Sequence, residues 1–436
     1  MTLKISVLGL WHLGSVTAAC LAHKGFDVVA YDPSADVCSS FAKGKAPVFE
    51  PGLDDLIAEQ LAQGRLHALN DLASTIASTD LIWVTFDTPV DEDDHADIAW
   101  MRETLASIFK FAKDGQAMII SSQVPVGFCA EMESVFRTMY PGRDIPMAYS
   151  PENLRLGKAI EIFENPDRIV IGIRRPEDRR FFEPVLSNLS KNVLWMKTES
   201  AEMTKHAINS FLATSVVFAN ELATLCETTG ADAHEVEQGL KSEARIGPKA
   251  YLKPGSAFAG GTLARDVQFL TALGREARLP VHLLNAILES NAYHRAWVQR
   301  KLEDSIRRLS GSQVTILGLT YKAGTDTLRR SWAVELSRWL KAQGVNVKAF
   351  DWQLTSLPHE LSSIIDLKPD LATALEQSDS VVIGTDHPQL KEISTQDLRH
   401  LGRPLIIDPN GGLRASVIND LRPLDYFSVG HSIHRV

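Results

Sequence analysis

Cysteine is scarce in this sequence, because the 436 residues contain only four. The four lie far apart along the chain, at Cys20, Cys38, Cys129 and Cys226. This spacing supports neither a disulfide framework nor a metal site with paired ligands, so we expect buried free thiols and no bound metal. The acidic run at residues 91–97 also lacks a rigid ligand spacing, and we interpret it as a solvated loop.

The sequence also lacks an excess of positive charge and long apolar stretches. The sequence carries 45 Lys and Arg against 54 Asp and Glu, a net charge of −9. This balance disfavours a nucleic-acid-binding protein, which would present a basic surface to phosphates. No apolar run approaches the roughly 20 residues that span a bilayer, and no signal-peptide pattern precedes the first apolar run. We therefore expect a cytoplasmic protein with no nucleic-acid or membrane partner.

The N-terminal residues have the pattern of a βαβ unit. An apolar run at residues 4–8 is followed by a turn from Gly9 to Gly14, a helix-like segment and a second apolar run that ends at Asp32. Gly9 permits the tight bend, Gly14 lets the helix pack close to the strand, and the helix N-terminus offers amides to a pyrophosphate. A carboxylate at Asp32 can accept hydrogen bonds from both ribose hydroxyls and would repel a 2′-phosphate, which favours NAD over NADP.

The same pattern returns near the C-terminus. Residues 314–319 repeat the pattern of residues 5–10, and residues 345–351 repeat that of residues 26–32. The segments between the two copies have helical periodicity and few strand signals. The sequence therefore predicts an α/β protein with two similar domains around a helical middle, which is long enough to dimerise.

A series of short motifs follows over nearly the whole chain. The motifs are Glu50-Pro51-Gly52-Leu53, Thr88-Pro89, Val124-Pro125-Val126-Gly127, Ser150-Pro151-Glu152, Asn165-Pro166-Asp167-Arg168, Ala201-Glu202-Met203-Thr204-Lys205, Asn220-Glu221, Arg245-Ile246-Gly247, Phe258-Ala259-Gly260-Gly261, Gly318-Leu319-Thr320-Tyr321-Lys322 and Thr325-Asp326-Thr327-Leu328-Arg329. Their order and spacing resemble the UDP-glucose/GDP-mannose dehydrogenase family. The resemblance implies an NAD-binding Rossmann domain at residues 1–198, a helical dimerisation core at 199–308 and a C-terminal Rossmann-like nucleotide-sugar-binding domain at 309–436.

The resemblance also implies an NAD-dependent oxidoreductase acting on a nucleotide sugar, UDP-hexose, and it assigns the site residues. Lys205 and Asn209 lie four residues apart on a predicted helix, where both can stabilise an oxyanion as hydride leaves. Asp266 can orient a water or take a proton, and Glu152 stands where the family has a glutamate associated with thioester hydrolysis. The implied cofactor contacts are Gly9, Trp11, His12, Leu13, Gly14, Asp32, Thr88 and Arg329. The implied substrate contacts are Leu154, Lys205, Asn209, Arg245, Tyr251, Phe258, Gly261 and Lys322.

One position departs from the family in a way that changes the chemistry. The family oxidises a primary alcohol twice and uses a cysteine nucleophile in the second step, whereas this sequence has Thr262 at that position. A thiol with a pKa of about 8.5 supplies some thiolate at neutral pH, but an unassisted hydroxyl supplies essentially none. We therefore expect the thioester route to uronic acid to be closed.

Further departures fall in the same predicted crevice. Trp11 occupies the middle glycine of the dinucleotide fingerprint, and Gln123, Leu156 and Arg330 replace the usual threonine, acid and glutamate of three other motifs. Three interpretations stay open beside a single oxidation: an epimerase-like enzyme that uses NAD transiently, a non-catalytic nucleotide-sugar-binding protein that has lost NAD, and direct oxidation of an aldehyde hydrate.

The expected assembly is a homodimer. By resemblance, family members pair through the helical core, and an arginine at the position of Arg245 can reach the sugar site of the neighbouring subunit. This expectation comes from the resemblance alone.

Overall fold

The structure is a computed structural model that describes residues 3–91, 96–151, 154–259, 261–306, 309–399, 401, 405–421 and 424–435. The chain divides into two compact units, Met1–Ile208 and Asn209–Val436, with the boundary inside one long helix. Each unit is built around one twisted sheet with helices packed on it.

The first unit alternates strands and helices along the chain. Its strands are β1 Lys4–Leu8, β2 Asp27–Tyr31, β3 Leu66–Leu69, β4 Leu81–Val84, β5 Ala117–Ile120, β6 Met147–Tyr149, β7 Ile169–Ile173 and β8 Val193–Lys197. Its helices are α1 His12–His23, α2 Ala35–Phe41, α3 Leu53–Ala62, α4 Leu72–Ala77, α5 Ile98–Phe109, α6 Phe128–Met139, α7 Ala159–Glu164 and α8 Arg179–Leu189, with a 3₁₀ turn at Pro176–Asp178; α9, Thr198–Thr229, begins here.

The first sheet has the doubly wound order β3-β2-β1-β4-β5-β6-β7-β8 within the described residues. The pairs are parallel except β6 with β7. Strands β1 and β4 are almost entirely buried, as expected for strands covered on both faces. The strand order reverses between β1 and β4, and a ligand crevice forms at the carboxyl ends of such strands.

The second unit begins with the rest of α9 and further helices. They are α10 Ala233–Ser242, α11 Thr262–Glu276, α12 His282–Arg295 and α13 Trp297–Ser305. The strands that follow are β9 Gln313–Leu317, β10 Asn346–Phe350, β11 Ile365–Leu367, β12 Ser380–Ile383, β13 Leu405–Ile407, β14 Leu424–Ser428 and β15 His431–Arg435. Their helices are α14 Trp332–Ala342, α15 His359–Ser362, α16 Leu371–Leu375, α17 Thr395–Arg399 and α18 Ala415–Asp420, with a 3₁₀ turn at Pro388–Glu392.

The second sheet has the order β11-β10-β9-β12-β13-β14-β15 among the described strands, and only its last pair is antiparallel. Strand β9 is therefore the counterpart of β1, as the repeated sequence pattern predicts. Gly318 after β9 has a positive φ of 90°, close to the 99° of Gly9 after β1. The α/β fold with two Rossmann-like sheets is confirmed.

Helix α9 corrects one expectation from the sequence. Its 32 residues are long and apolar enough to cross a membrane by length and composition, although no such stretch was expected. The same helix carries buried polar side chains, including Glu202, Lys205 and Asn209. Buried polar groups with protein partners are typical of a core helix in a globular protein, and such helices pass the same test.

Candidate functional site

The turn after β1 accepts only glycine at two positions. A Cβ on Gly9 would come within 2.8 Å of the Phe86 backbone, and one on Gly14 would lie 1.6 Å from the Gly9 carbonyl oxygen. The Thr85 Oγ1 hydroxyl donates to the carbonyl oxygens of Leu8 and Gly9, which ties the turn to the end of β4. The turn therefore brings the N-terminus of α1 close to the crevice, where its amides can meet a pyrophosphate.

Asp32 lies directly after β2, next to this turn. One carboxylate oxygen accepts a hydrogen bond from the Leu10 amide at 2.8 Å, and the other accepts one from the Ser34 amide at 2.9 Å. These contacts fix the acid at the carboxyl edge of the sheet. Each carboxylate oxygen has a further lone pair that can accept from a ribose hydroxyl, so the residues present fit NAD.

Trp11 does not fill the core beneath the turn. It lies directly before α1, and its side chain is 51% exposed. Leu13 is partly buried, and His12 turns inward, where its Nε2 lies 2.8 Å from Oε2 of Glu50. The substitution of glycine by Trp11 therefore leaves the fold of the turn intact and adds an indole at its surface.

Glu50 connects this turn to a second loop of the first unit. Its carboxylate is buried and accepts hydrogen bonds from the amides of Gly157 at 2.8 Å and Ala159 at 2.9 Å, in addition to the His12 contact. The sequence shows Glu50 only as the first residue of a motif, without this role. The loop after residue 153, which includes the predicted substrate contact Leu154, is thus anchored to the first turn of α1.

Replacing Glu50 by Gln should destabilise the protein by about 1–3 kcal/mol, because an amide nitrogen would face backbone N–H donors and leave one unsatisfied. Urea unfolding of the two proteins measures this difference. Glu59→Gln is the matched control, since Glu59 is exposed on α3 and should change stability by less than about 0.5 kcal/mol. Equal stability of Glu50→Gln and the control would contradict the anchoring role.

The other predicted positions of the first unit follow the carboxyl ends of β4 and β5 or lie on α9. Thr88 is buried and its Oγ1 donates to the Gln123 carbonyl oxygen at 2.6 Å. Lys205 is buried on α9, one residue before His206, whose Nε2 lies 3.0 Å from the Val124 carbonyl oxygen. Glu152 lies outside the described residues, and so do residues 92–95 of the acidic run.

In the second unit, Asn209 and Asp266 are in contact. Asn209 Nδ2 donates a hydrogen bond to Asp266 Oδ2, and both side chains are buried. Asp266 lies on the second turn of α11 and is fully buried. The pairing holds the carboxylate of Asp266 in a fixed orientation, as a group that moves a proton requires.

The loop that carries Phe258 is anchored by three asparagine side chains. Asn291 Oδ1 accepts from the Phe258 amide at 3.0 Å, and its Nδ2 donates to the Phe258 carbonyl oxygen at 2.9 Å. Asn220 Oδ1 accepts from the Gly255 amide, and Asn410 Oδ1 accepts from the Ser256 amide. Sequence reasoning missed Asn291 and Asn410, because no local motif marks them.

Thr262 is the first residue of α11 and its side chain is exposed. The preceding Gly261 has φ 100°, and a Cβ there would come within 2.6 Å of Nη1 of Arg330. Arg245, Tyr251, Lys322 and Arg329 are exposed, and Arg245 pairs with Glu243 at 2.8 Å. Their exposure leaves these four side chains accessible to a ligand.

The four cysteines are free and buried, as the sequence predicts. Burial raises the pKa of Cys38, which contacts the backbone of Asp32, and raises that of Cys129 well above its ordinary value. Cys226 packs in the apolar core of the second unit. Among the described residues, no group of three or more His, Cys, Asp or Glu is arranged to hold a metal ion.

A doubly wound sheet with a glycine turn after its first strand and an acid after its second defines a dinucleotide-binding protein. Comparison with known families makes the class specific. Residues 3–190 match the NAD binding domain of the UDP-glucose/GDP-mannose dehydrogenase family, residues 199–293 its central domain, and residues 315–414 its UDP binding domain.

Full-length relatives agree with this match. The chain is 32% identical over 415 residues to UDP-glucose 6-dehydrogenase of Rhizobium meliloti, covering 93% of this chain and 94% of the relative. It is 31% identical to UDP-glucose 6-dehydrogenase TuaD of Bacillus subtilis, covering 99% and 93%. The structure of a UDP-glucose dehydrogenase from Pyrobaculum islandicum superposes with a TM-score of 0.86 at 28% identity, covering 97% of both chains.

The chain belongs to the UDP-glucose/GDP-mannose dehydrogenase family. The predicted resemblance, the NAD cofactor and the assignment as an NAD-dependent oxidoreductase of nucleotide sugars are therefore confirmed.

Proposed function

We propose that this protein oxidises the sugar of a UDP-linked hexose by a single hydride transfer and does not proceed to a uronic acid through a thioester. NAD supplies the hydride acceptor when it is bound. The observation that carries the proposal is Thr262 at the first position of α11, where the family resemblance places a cysteine nucleophile.

The cysteines of the chain support a single oxidation without a thioester. All four are buried, and the thiols of Cys38 and Cys129 have raised pKa values, which keep them protonated at neutral pH. A threonine hydroxyl without an adjacent base is a much weaker nucleophile than a thiolate. The second oxidation would therefore lack the covalent intermediate on which the family's mechanism depends.

The residues for the first oxidation are retained in the sequence. We assign Lys205 and Asn209 to stabilising the developing oxyanion, because a cation and an amide donor both favour negative charge on oxygen. We assign Asp266 to holding or receiving a proton, and its hydrogen bond from Asn209 fixes its orientation.

Product analysis tests this function. The purified protein is incubated with UDP-glucose and NAD, and the sugar is identified by mass spectrometry. A product that has lost two hydrogens without gaining oxygen supports the proposal, whereas UDP-glucuronate contradicts it. An unchanged redox state with an inverted carbon would favour transient use of NAD, and calorimetry that detects UDP-sugar but no NAD would favour a binding protein.

We also propose that the protein forms a homodimer through α9. Phe211, Phe218 and Leu225 recur every seven residues on one face of this helix and are 71%, 46% and 60% exposed. Leu283 and Tyr293 on α12 are exposed as well. Exposed apolar side chains repeated along one helix face are typical of a surface that a second copy covers.

Negative charge on this face of α9 should separate the subunits. The double variant Phe211→Glu, Phe218→Glu is expected to weaken association about a hundredfold or more, because the carboxylates would be desolvated without partners. Sedimentation velocity measures the shift from dimer to monomer. Phe111→Glu, at an exposed phenylalanine outside α9, is the control and should remain dimeric. A wild-type monomer, or a dimeric double variant, would contradict the proposal.

The domain boundaries at 198/199 and 308/309 and the cytoplasmic location also remain proposals. Limited proteolysis that releases fragments cut near those boundaries would support the former. Fractionation of cells that express the chain would test the latter.

A further inference from the structure

The cofactor turn of the first unit carries an indole, that of Trp11, between two fixed neighbours. On one side, the Leu10 amide donates to Asp32 Oδ2 at 2.8 Å. On the other side, His12 Nε2 lies 2.8 Å from Oε2 of the buried Glu50. Trp11 itself has a φ of −66°, which any L-residue adopts without strain. The fold therefore sets the direction in which the Trp11 side chain leaves the turn.

The N-terminus of α1 keeps its anion-binding amides although tryptophan replaces glycine there. Helix α1 has neither a side-chain cap nor an acidic residue in its first turn. Within the part of the chain that the structure describes, the amides of His12, Leu13 and Gly14 donate to no other group. Amides at this position of a helix are the donors that a pyrophosphate meets. Trp11 thus leaves the donors for the phosphates of NAD in place.

The Trp11 indole lies beside these amides. Its side chain is 51% exposed and makes no hydrogen bond, ring contact or cation contact with any described residue. The middle position of the dinucleotide fingerprint is normally glycine, because the backbone there approaches the pyrophosphate. A side chain at this position is therefore adjacent to the phosphates of bound NAD. Since no such contact holds the indole across the amides, it is able to move aside as NAD enters and to pack on the bound phosphates.

We infer that Trp11 is a cofactor-binding residue whose indole covers the pyrophosphate of NAD, donates Nε1–H to a phosphate oxygen and slows release of the cofactor. An indole combines an N–H donor with a large ring and two side-chain torsions, so ordering it over a ligand costs little conformational entropy. Hydrogen bonds to a charged acceptor are also stronger than neutral ones. The inference goes beyond the proposed function and holds whichever carbon of the sugar reacts.

Calorimetry of the full chain with NAD and with ADP-ribose tests the inference. Trp11→Gly, which restores the glycine of the fingerprint, should bind both ligands about tenfold or more weakly than the wild type, as loss of a hydrogen bond to a charged group allows. ADP-ribose has the pyrophosphate without the nicotinamide, so a similar loss for both ligands places the contact at the phosphates. Trp11→Phe keeps an aromatic ring without the N–H donor, and its affinity should lie between those of the wild type and Trp11→Gly.

The release of NADH gives a second measurement. Stopped-flow displacement of NADH by excess NAD, followed by NADH fluorescence, should be about tenfold or more faster from Trp11→Gly than from the wild type. Phe111→Gly is the matched control, because it removes another exposed aromatic ring of the first unit. Phe111 lies between α5 and the amino end of β5, away from the carboxyl edge that carries the cofactor turn. Its replacement should leave the affinity for both ligands within about twofold.

Three results would overturn the inference. Equal or tighter binding of NAD by Trp11→Gly would show that the indole is neutral or obstructs the cofactor. A loss of affinity for NAD that ADP-ribose does not share would exclude the phosphate contact. Both results leave the proposed function standing, whereas failure of the wild type to bind NAD at millimolar concentration overturns the inference and the function together. Thermal unfolding near the wild-type temperature shows that Trp11→Gly is folded, as expected because glycine is tolerated at a helix N-cap.

Discussion

Replacing Asp266 by Asn should lower kcat by about 10²–10⁴-fold, the usual contribution of a positioned proton-transfer group. Asp266 is fully buried and receives a hydrogen bond from Asn209 Nδ2, so the replacement puts an amide of nearly the same shape at a site without bulk water. The expected change is in kcat rather than in nucleotide-sugar affinity. Steady-state kinetics together with calorimetry of UDP-sugar binding separates the two effects.

Glu276→Gln is the matched control for this variant. Glu276 is the last residue of the same helix, α11, and is exposed, so its replacement should leave kcat within about twofold, as for an ordinary surface substitution. A kcat for Asp266→Asn within the same range would contradict the assigned role. A folded variant is recognised by an unchanged circular dichroism spectrum.

Gly14→Ala should abolish measurable NAD binding and destabilise the protein. The added Cβ would lie 1.6 Å from the Gly9 carbonyl oxygen, a backbone atom that cannot rotate away, so α1 must move from the turn. Overpacking of this kind costs about 1–3 kcal/mol. Thermal unfolding measures the destabilisation, and quenching of tryptophan fluorescence by NAD can report binding because Trp11 lies in the same turn.

Gly239→Ala makes the same chemical change where there is room for it. Gly239 lies in α10, and a Cβ there meets nothing within 4 Å. This variant should be stabilised by about 0.5–1 kcal/mol, because alanine is the better helix former. NAD binding by Gly14→Ala at the wild-type affinity would show that the turn does not need the close approach.

The sequence could predict the cofactor turn because its determinants are local. Gly9, Gly14 and Asp32 lie within a short βαβ segment. Glycine is required at the first two because a Cβ on Gly9 would meet Phe86, after β4, and one on Gly14 would meet the Gly9 carbonyl oxygen. The anchors of the site loops could not be predicted in this way. Glu50 meets Gly157 across 107 residues, and Asn410 meets Ser256 across 154, so the fold alone brings them together.

The repeated sequence pattern predicted the second sheet, but it does not show what the acid after the second strand of that sheet contacts. Asp351 after β10 corresponds to Asp32 after β2, yet it is buried. Its carboxylate accepts from the amides of Leu319 at 2.6 Å, Thr320 at 3.0 Å and Gln353 at 2.8 Å. The acid therefore stabilises a turn in the second unit. The two acids thus differ in burial and in their backbone partners, since Asp32 is only partly buried and accepts from two amides.

The proposed limit to a single oxidation rests on the substitution at position 262. The structure places Thr262 at the exposed start of α11, while the four thiols of the chain are buried. Sequence reasoning identified this departure because the flanking motif, from Phe258 to Asp266, keeps its length. The position of Arg330 against Gly261 became visible only in the structure.

The stoichiometry of NADH formed per nucleotide sugar consumed tests the account most directly. Absorbance of NADH and chromatography of the sugar, measured to completion under excess NAD, give the ratio. A single hydride transfer predicts one NADH per sugar, with UDP-glucose as the starting compound. A ratio of two, with UDP-glucuronate formed from UDP-glucose, would show that the protein completes both oxidations with Thr262 in place and would contradict the account.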